Sequence, residues 1–568
     1  MMTTFLVGPP PGGMGGRIAG HMNASQSHRV VVVGGGLAGL AAAVELRGRG
    51  AEVVLVESNR HLGGKMNLLT ERGFAFDMGP TILTLPEVLC GIIRRAGRRV
   101  EDLIDLVRLD PQWRCHFEDG TRIDLLEDVD AMAAGLERVL PGSGAGDGYR
   151  SFIEYSRRMN RLSRGVFFYK DVGGVRDVMR HAPAGDRTVM SDALAMRLHS
   201  TVGRTVARHI AEPHVRQIVE HFLQYVGSSP FLAPAILSMI ASAQVDQGCW
   251  YPMGGTRMVA RALSRLAEEG GVEVVLGERV ARIETRDGRV AGVTLESGGT
   301  IRADAVVSNS DVQRTLRGLV ATPGAKREAA KIAGRYTPAC SGVVLYLGLD
   351  RQYDHLAHHN FLFSRHSEEE FADIYARGIP ARDPTLYIAA PSRTDPGQAP
   401  GGGEALYILV HTPYIRPGSV QADEDRFLAE YRPVIVEKLK RMGMPDIEDH
   451  IVVERSLMPT GIERMYNAEG GAIYGLASHG RLAGGFKPRN TARSTPGLYF
   501  AGGSVNPGPG MPMVMMSGVT AADAVARDLG LPAADLAASS AEPGPGEYRR
   551  VAAGEAASPR GEHAWAMS

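Results

Sequence analysis

Apolar and polar positions along this chain fall into two rhythms. Val30 to Val33 is an unbroken β-branched run, Leu37 to about Arg47 repeats with helical spacing, and Val53 to Val56 is a second apolar run. Together they predict strand, helix, strand between Arg29 and Glu57. Near the other end, Leu498 to Ala501 reads as a short buried strand, and a helix is expected to start near Met511 with Pro512 in its first turn. Between them, Tyr149 to Ala243 has helical spacing. Phe152, Phe167, Phe168 and Tyr169 stand there among Arg158, Arg161, Arg164 and Lys170, which predicts either a face for an anionic interface or an ordinary amphipathic helix on the core. Pro230 to Ala243 is the most apolar stretch of this middle region, but it is shorter than the roughly 20 residues a bilayer span needs.

Glycines give the first strand–helix–strand unit its chemistry. Gly34, Gly36 and Gly39 fall at G-x-G-x-x-G spacing between the strand and the helix. Gly34 permits the tight turn, Gly36 lets backbone approach a pyrophosphate, and Gly39 allows close helix–strand packing with the helix N-terminus toward the phosphates. Glu57 ends the second strand, where a carboxylate accepts hydrogen bonds from an adenosine ribose. A dinucleotide cofactor is therefore expected.

The next segments identify the chain, by resemblance, as a member of a known group. SNRHLGGKM, with Gly63, Gly64 and Lys65, is similar to the flavin-binding extension of the amine oxidase and carotenoid desaturase superfamily, and GFAFDMGPTIL, with Asp77, Gly79 and Pro80, resembles the same superfamily. Phe486 to Ala526, which contains FAGGSVNPGPGMPMVMMSG, resembles the C-terminal motif of bacterial and fungal phytoene desaturases and their carotenoid-modifying relatives. There Gly502 and Gly503 leave room for a phosphate or ribityl chain, and the helix N-terminus at Met511 is expected to face the flavin. Gly248 to Val312 resembles the family's YPxGG segment, helix and β-meander. Val280 stands where the family contacts the adenine through its backbone, and Ser308 and Asn309 end the strand that returns toward the cofactor.

The resemblance implies an α/β fold: an interrupted Rossmann-type FAD-binding domain with an inserted α+β substrate domain. The expected FAD domain comprises 29–99, 245–325 and 485–530. The expected substrate and membrane-contact domain comprises 100–244 and 326–484. Residues 1–28 and 531–568, the latter rich in Ala, Gly, Pro, Ser and Glu, read as a disordered lead and tail. The cofactor is expected to be FAD, held by Gly34, Gly36, Gly39, Glu57, Gly64, Lys65, Val280, Gly503 and Met511.

Composition narrows the function classes. Lys and Arg together number 63 and so do Asp and Glu, so the net charge is zero and no broad electrostatic surface for nucleic acid is expected. Cys90, Cys115, Cys249 and Cys340 show no CxxC spacing and read as free thiols in a reducing compartment, in the core or lining a pocket. His355, His358 and His359 have helical metal-ligand spacing, but Phe361 to Ser364 follows as a strand, so a turn and no metal site is expected. The start of the chain shows no basic segment followed by an apolar one, so no signal peptide is expected.

In the resembling family, FAD removes hydride from an allylic carbon of a long isoprenoid, forming C=C bonds with little acid–base machinery. The expectation is therefore a phytoene-desaturase-like enzyme with an apolar tunnel ending near Asn506 to Met516. It would lie in the cytoplasm, peripheral on a membrane surface, with a carotenoid as substrate and quinone or oxygen as electron acceptor. One departure bears on the chemistry. Where phytoene desaturases read HPGxG, this chain has Asn506-Pro507-Gly508-Pro509-Gly510, so a neutral amide replaces an imidazole and is the candidate assisting residue. This leaves open a relative that desaturates hydroxylated carotenoids, oxidises or hydroxylates carotenoid ends, or isomerises polyenes. Two further alternatives are a flavin amine oxidase, disfavoured by 6% aromatic content, and a non-enzymatic prenyl-lipid carrier.

Overall fold

The computed structural model describes residues 28–551 except 175, 179–196, 198, 481–483, 537–542 and 545. β1 (Arg29–Val33) and β2 (Glu52–Glu57) lie parallel, joined by α1 (Leu37–Gly48). The sheet they belong to has five parallel strands, in the order Leu498–Phe500, Ala305–Ser308, β1, β2, Glu273–Leu276. All but the edge strand Glu273–Leu276 are buried on both faces, which is why they read as continuous apolar runs rather than alternating ones. The C-terminal helix Met511–Leu529 packs directly on α1, and a Cβ at Gly518 would stand 2.2 Å from the Ala38 carbonyl oxygen. The antiparallel meander, Val280–Arg286, Arg289–Leu295 and Thr300–Arg302, leads into the returning strand Ala305–Ser308.

A second, seven-stranded sheet is built from the middle of the chain. Its order is Ile451–Leu457, Ser341–Leu349, Glu404–Thr412, Leu386–Ala389, His359–Leu362, Trp113–His116, Arg122–Leu125. All neighbours are antiparallel except His359–Leu362 against Trp113–His116. Alternation puts Leu345, Leu347, Leu386, Ile388, Ile408 and Val410 on one face, where they pack with Phe427, Tyr431, Ile435 and Leu439 of the helix Glu424–Arg441. The other face carries Phe361, Tyr387 and Leu409, which are direct cross-strand neighbours.

Several expectations change here. Phe152 and Phe168 are buried, so the aromatic residues of the 149–170 region do not form an exposed face. The helix Ala145–Val166 is an ordinary amphipathic one that buries Tyr149, Phe152 and Ile153, while Arg157 pairs with Asp246 at 2.7 Å and Arg164 with the buried Glu87 at 2.8 Å. The tail, expected to be disordered from 531, forms a strand at Tyr548–Val551 parallel to Leu106–Leu109. Tyr548 packs edge-on against Trp250, with ring centroids 4.8 Å apart, and Glu547 pairs with Arg94 at 2.5 Å. A composition-based reading averages over so short an apolar and charged stretch. The expected lead lies outside the described residues apart from His28. Among the described residues no helix is long and apolar enough to cross a membrane. The apolar stretch Pro230–Ala243 folds into short helical segments that wall an internal cavity.

Candidate functional site: a cradle joined to an aromatic chamber

One cavity of about 570 Å³ runs from the end of β1 to the face of the seven-stranded sheet that carries Phe361, Tyr387 and Leu409. Its first part is a cradle made mostly of backbone. Gly34, Gly36, Glu57, Gly64, Lys65, Val280, Gly503 and Met511 all line it. Gly39 does not, and its role is steric: a Cβ there would lie 2.0 Å from the Gly34 carbonyl oxygen. At Gly36 a Cβ would come within 2.7 Å of Asn309 Oδ1.

Asn309 is the bolt of the cradle. Its Oδ1 accepts from the Gly39 N–H at 3.1 Å, and its Nδ2 donates to the Ala501 carbonyl at 3.0 Å, tying the first turn of α1 to the C-terminal glycine turn. The extension after β2 is held in turn by Arg257, whose guanidinium donates to the carbonyls of Leu62 and Met66, the latter at 2.6 Å. Asp77 fixes the start of the Arg257–Glu269 helix by accepting from the N–H groups of Thr256 (2.8 Å) and Arg257 (3.1 Å). Burial nevertheless pushes the Asp77 carboxyl up to about 6.

Three features of the cradle fit an anionic dinucleotide. The N-cap residues of α1 and of the C-terminal helix are Gly36 and Gly510, which have no side chain to cap with, neither helix has an acidic residue in its first turn, and both begin at the cavity wall, at Gly36–Ala38 and Gly510–Val514. Glu57 lines the cavity with its carboxylate oriented by the Gly35 N–H (2.6 Å), the Asn59 N–H (2.7 Å) and the Asn59 amide (2.8 Å). Lys65 presents an ammonium that burial lowers to about 8, with Asp311 opposing the shift. Its Nζ donates to the Ile473 carbonyl at 2.8 Å.

Asn506 departs from expectation. It does not line the cavity, and its Nδ2 donates to the Lys170 carbonyl (2.7 Å). Its own carbonyl accepts from Ser517 Oγ (2.8 Å) and Asn490 Nδ2 (3.0 Å). The candidate assisting role is thus corrected: Asn506 anchors the 506–510 turn, while Pro507, Pro509 and Gly510 face the cavity. Of the four methionines that follow, Met511 and Met513 stand on the cavity wall and Met515 and Met516 in the core. All four cysteines are free, buried and absent from the lining. His358 and His359 bond to Thr394 Oγ1 and Tyr387 Oη at 2.7 and 2.8 Å, and the described residues contain no cluster of metal-ligand type.

The second part of the cavity is a chamber; an apolar tunnel is expected from the sequence, but not the sheet residues that wall it. Phe361, Tyr387, Tyr407 and Leu409 come from the sheet, Phe167 and Phe168 from the end of the Ala145–Val166 helix, and Ile236, Leu237, Met239, Ile240 and Ala243 from the Pro230–Ala243 stretch. The lining from 163 to 244 and from 361 to 411 contains no Asp, Glu, Lys or Arg. Tyr407, Leu409 and His411 alternate along one strand, the signal that would have revealed this face. The low overall aromatic content concealed the local concentration of rings.

Comparison with known proteins bears on the whole chain. The chain is 38% identical over 509 residues to a 4,4'-diapolycopene oxygenase of Methylomonas sp, covering 89% of this chain and all of that one. It is 35% identical over 497 residues to a 4,4'-diaponeurosporene oxygenase of Staphylococcus haemolyticus, covering 88% and 97%. An oxidoreductase from Methanosarcina mazei has a similar fold, with a TM-score of 0.60 at 18% identity over 87% of this chain and 99% of that one. Putrescine oxidase solved with putrescine is also similar, at 0.58 and 14% over 89% and 99%. The sequence pattern of the flavin containing amine oxidoreductases matches residues 37–526. With the paired parallel sheet, the glycine cradle and this match over most of its length, the chain belongs to the flavin containing amine oxidoreductase family, and its cofactor is FAD.

Proposed function

We propose that this protein is an FAD-dependent oxidoreductase that oxidises the end of an acyclic carotenoid. One observation carries the reading: the cofactor cradle and an uncharged, aromatic-lined chamber are parts of one cavity. A polyene is apolar and flat, so ring faces and aliphatic side chains hold it without a charged anchor. The full-length relatives named for oxygenation of carotenoids favour oxidation of a terminal carbon over desaturation.

In this proposal 29–99, 245–325 and 485–530 form the cofactor domain, and 100–244 with 326–484 form the substrate domain. Gly34, Gly36 and Gly64 leave space for the pyrophosphate, Glu57 holds the ribose, Val280 meets the adenine, and Lys65, Gly503 and Met511 border the rest of the group. Gly39 and Asn309 keep the cradle in shape. FAD supplies the two-electron acceptor. The chain's own residues bind and orient the polyene and offer no charged base in the chamber; the oxygen the product gains is that of a water molecule that reaches the reacting end, its proton passes to solvent, and the two electrons removed would go to the bound FAD. The substrate enters from a membrane surface against which the protein lies peripherally on the cytoplasmic side, and quinone or oxygen is the terminal acceptor.

Tyr225, Tyr387, Tyr407 and Tyr474 in the lining also suit an amine flanked by aromatic rings, which is the second reading. The test is anaerobic mixing of the holoenzyme with liposomes carrying an acyclic carotenoid, and separately with putrescine, following flavin absorbance and then product mass after oxygen is admitted. Bleaching by the carotenoid and a product that has gained oxygen are expected. A product lacking only hydrogen makes the protein a desaturase, and bleaching by the amine alone overturns the carotenoid reading.

A further inference from the structure

The chamber wall is uncharged, and besides Ser163 and the mutually bonded Tyr225 and Gln244 its polar side chains gather at one place. His221 and Gln224, one turn apart, line it together with His411 and Tyr474, which come from two other segments far away in sequence. His411 and Tyr474 are stacked, with ring centroids 5.9 Å apart, and His411 Nε2 lies 3.4 Å from the Tyr474 hydroxyl. The His221 ring rests edge-on against Phe361, 4.7 Å between centroids, and feels the charge state of His411. Gln224 accepts from the Tyr375 hydroxyl through Oε1 at 3.1 Å, while its Nε2 is buried without a partner. Burial lowers His221 to about 3 and His411 to about 4, so both imidazoles are neutral near pH 7.

The neighbours of Tyr474 locate this polar cluster. Ile473 gives its carbonyl to Lys65 Nζ, and Gly475 packs so closely that a Cβ would stand 2.9 Å from the Gly503 backbone. Tyr474 therefore sits where the chamber opens onto the cradle, next to the reacting end of any bound chain. A buried polar group without a partner is costly, and a neutral imidazole offers one donor and one acceptor. A hydrocarbon end leaves that capacity unused.

We propose that His221, Gln224, His411 and Tyr474 form an end pocket that binds the oxygen of a terminal alcohol or aldehyde on an otherwise apolar isoprenoid. The protein then takes up, and holds at the cradle, chains that already bear one oxygen at the reacting end. This rests on the carotenoid reading above and adds to it the recognition of an oxygenated terminus.

The test uses the FAD-loaded enzyme under anaerobic conditions and reads ligand binding from the perturbation of the flavin absorption spectrum. The probes are geranylgeraniol, its aldehyde, and the methyl-terminated hydrocarbon of the same length, each in detergent micelles. At least about tenfold tighter binding of the alcohol or the aldehyde than of the hydrocarbon is expected, and the two arms show which oxygen function is preferred. The paired substitution His411→Phe and Tyr474→Phe should bring the oxygenated probes to the hydrocarbon's affinity while leaving the hydrocarbon unchanged. Gln224→Leu should do so in part, and serves if the paired variant does not retain flavin. Equal binding of all three probes by the unmodified enzyme, or discrimination that survives the substitutions, overturns the end pocket and leaves the carotenoid reading intact. No response to any probe overturns both.

Discussion

The two parts of the cavity are built by opposite means. The cradle is a backbone structure: its shape depends on missing side chains at Gly34, Gly36, Gly39 and Gly64, on two helix N-termini, and on Asn309 clamping α1 to the turn at Ala501. The chamber is a side-chain structure, walled by residues of the seven-stranded sheet and of the helices between 145 and 247. At Gly39 the clash falls on the Gly34 carbonyl, backbone that cannot rotate away, and at Gly36 it falls on the Asn309 side chain that clamps the cradle. A side-chain wall tolerates substitution in proportion to the contacts altered.

The sharpest way to break that contrast is at the glycines. Gly39→Ala would put a Cβ 2.0 Å from the Gly34 carbonyl, so loss of soluble folded protein is expected, measured as yield and circular dichroism. Gly36→Val, facing Asn309 Oδ1 at 2.7 Å and the cavity, should give folded protein without flavin, read from the ratio of flavin to protein absorbance. Full flavin occupancy in the Gly36 variant would show that the cradle yields like a side-chain wall.

Glu57→Gln tests a graded effect inside the cradle. The carboxylate accepts from the Gly35 N–H and from Asn59, and an amide supplies only one acceptor for those donors. Weaker FAD binding by about 1.5–3 kcal/mol, roughly ten- to a hundredfold in Kd, is expected from loss of a charge-assisted hydrogen bond. Equal dissociation constants by fluorescence titration would remove Glu57 from the cofactor site.

Lys65 gives the cradle a pH signature. Its apoprotein ammonium is lowered to about 8, and a bound anion favours the charged form and raises it again, so binding takes up a proton. Affinity for FAD is therefore full below about pH 8 and falls as pH rises through that value. Lys65→Arg, which stays charged, should flatten the profile. A wild-type affinity that is constant across that range would place the ammonium away from the cofactor.

The smallest effect is expected in the chamber. Tyr387→Phe removes a hydroxyl bonded to Thr81 Oγ1 (2.6 Å) and His359 Nδ1 (2.8 Å), and should cost about 1 kcal/mol of stability. Flavin content should not change. A drop in FAD retention would mean that the two parts of the cavity are mechanically coupled.

The same contrast explains what was legible in the sequence. Gly34 to Gly39 and Glu57 lie within one strand–helix–strand unit, and local spacing alone implies their packing, as it does for the helix at Met511. The chamber rings sit at 361, 387 and 407, and only the pairing Phe361 to Tyr387 to Leu409 makes them neighbours. No local period reports such pairing. Asn506 misled for a related reason: its place in a motif marks the turn, while tertiary packing turns its amide toward Lys170 and Asn490. The buried Phe152 shows the same limit, since helical spacing gives a face but not what covers it.

The most direct test of the central claim is to fill the chamber and leave the cradle alone. Ala243 lines the chamber from the helix Met239–Gln247, and Ala243→Trp would place an indole in the path of a long apolar chain. The variant is expected to retain FAD at the wild-type ratio yet show no anaerobic bleaching with a liposome-embedded acyclic carotenoid. Bleaching at the wild-type rate would contradict the account, because it would mean that the substrate reaches the flavin by another route.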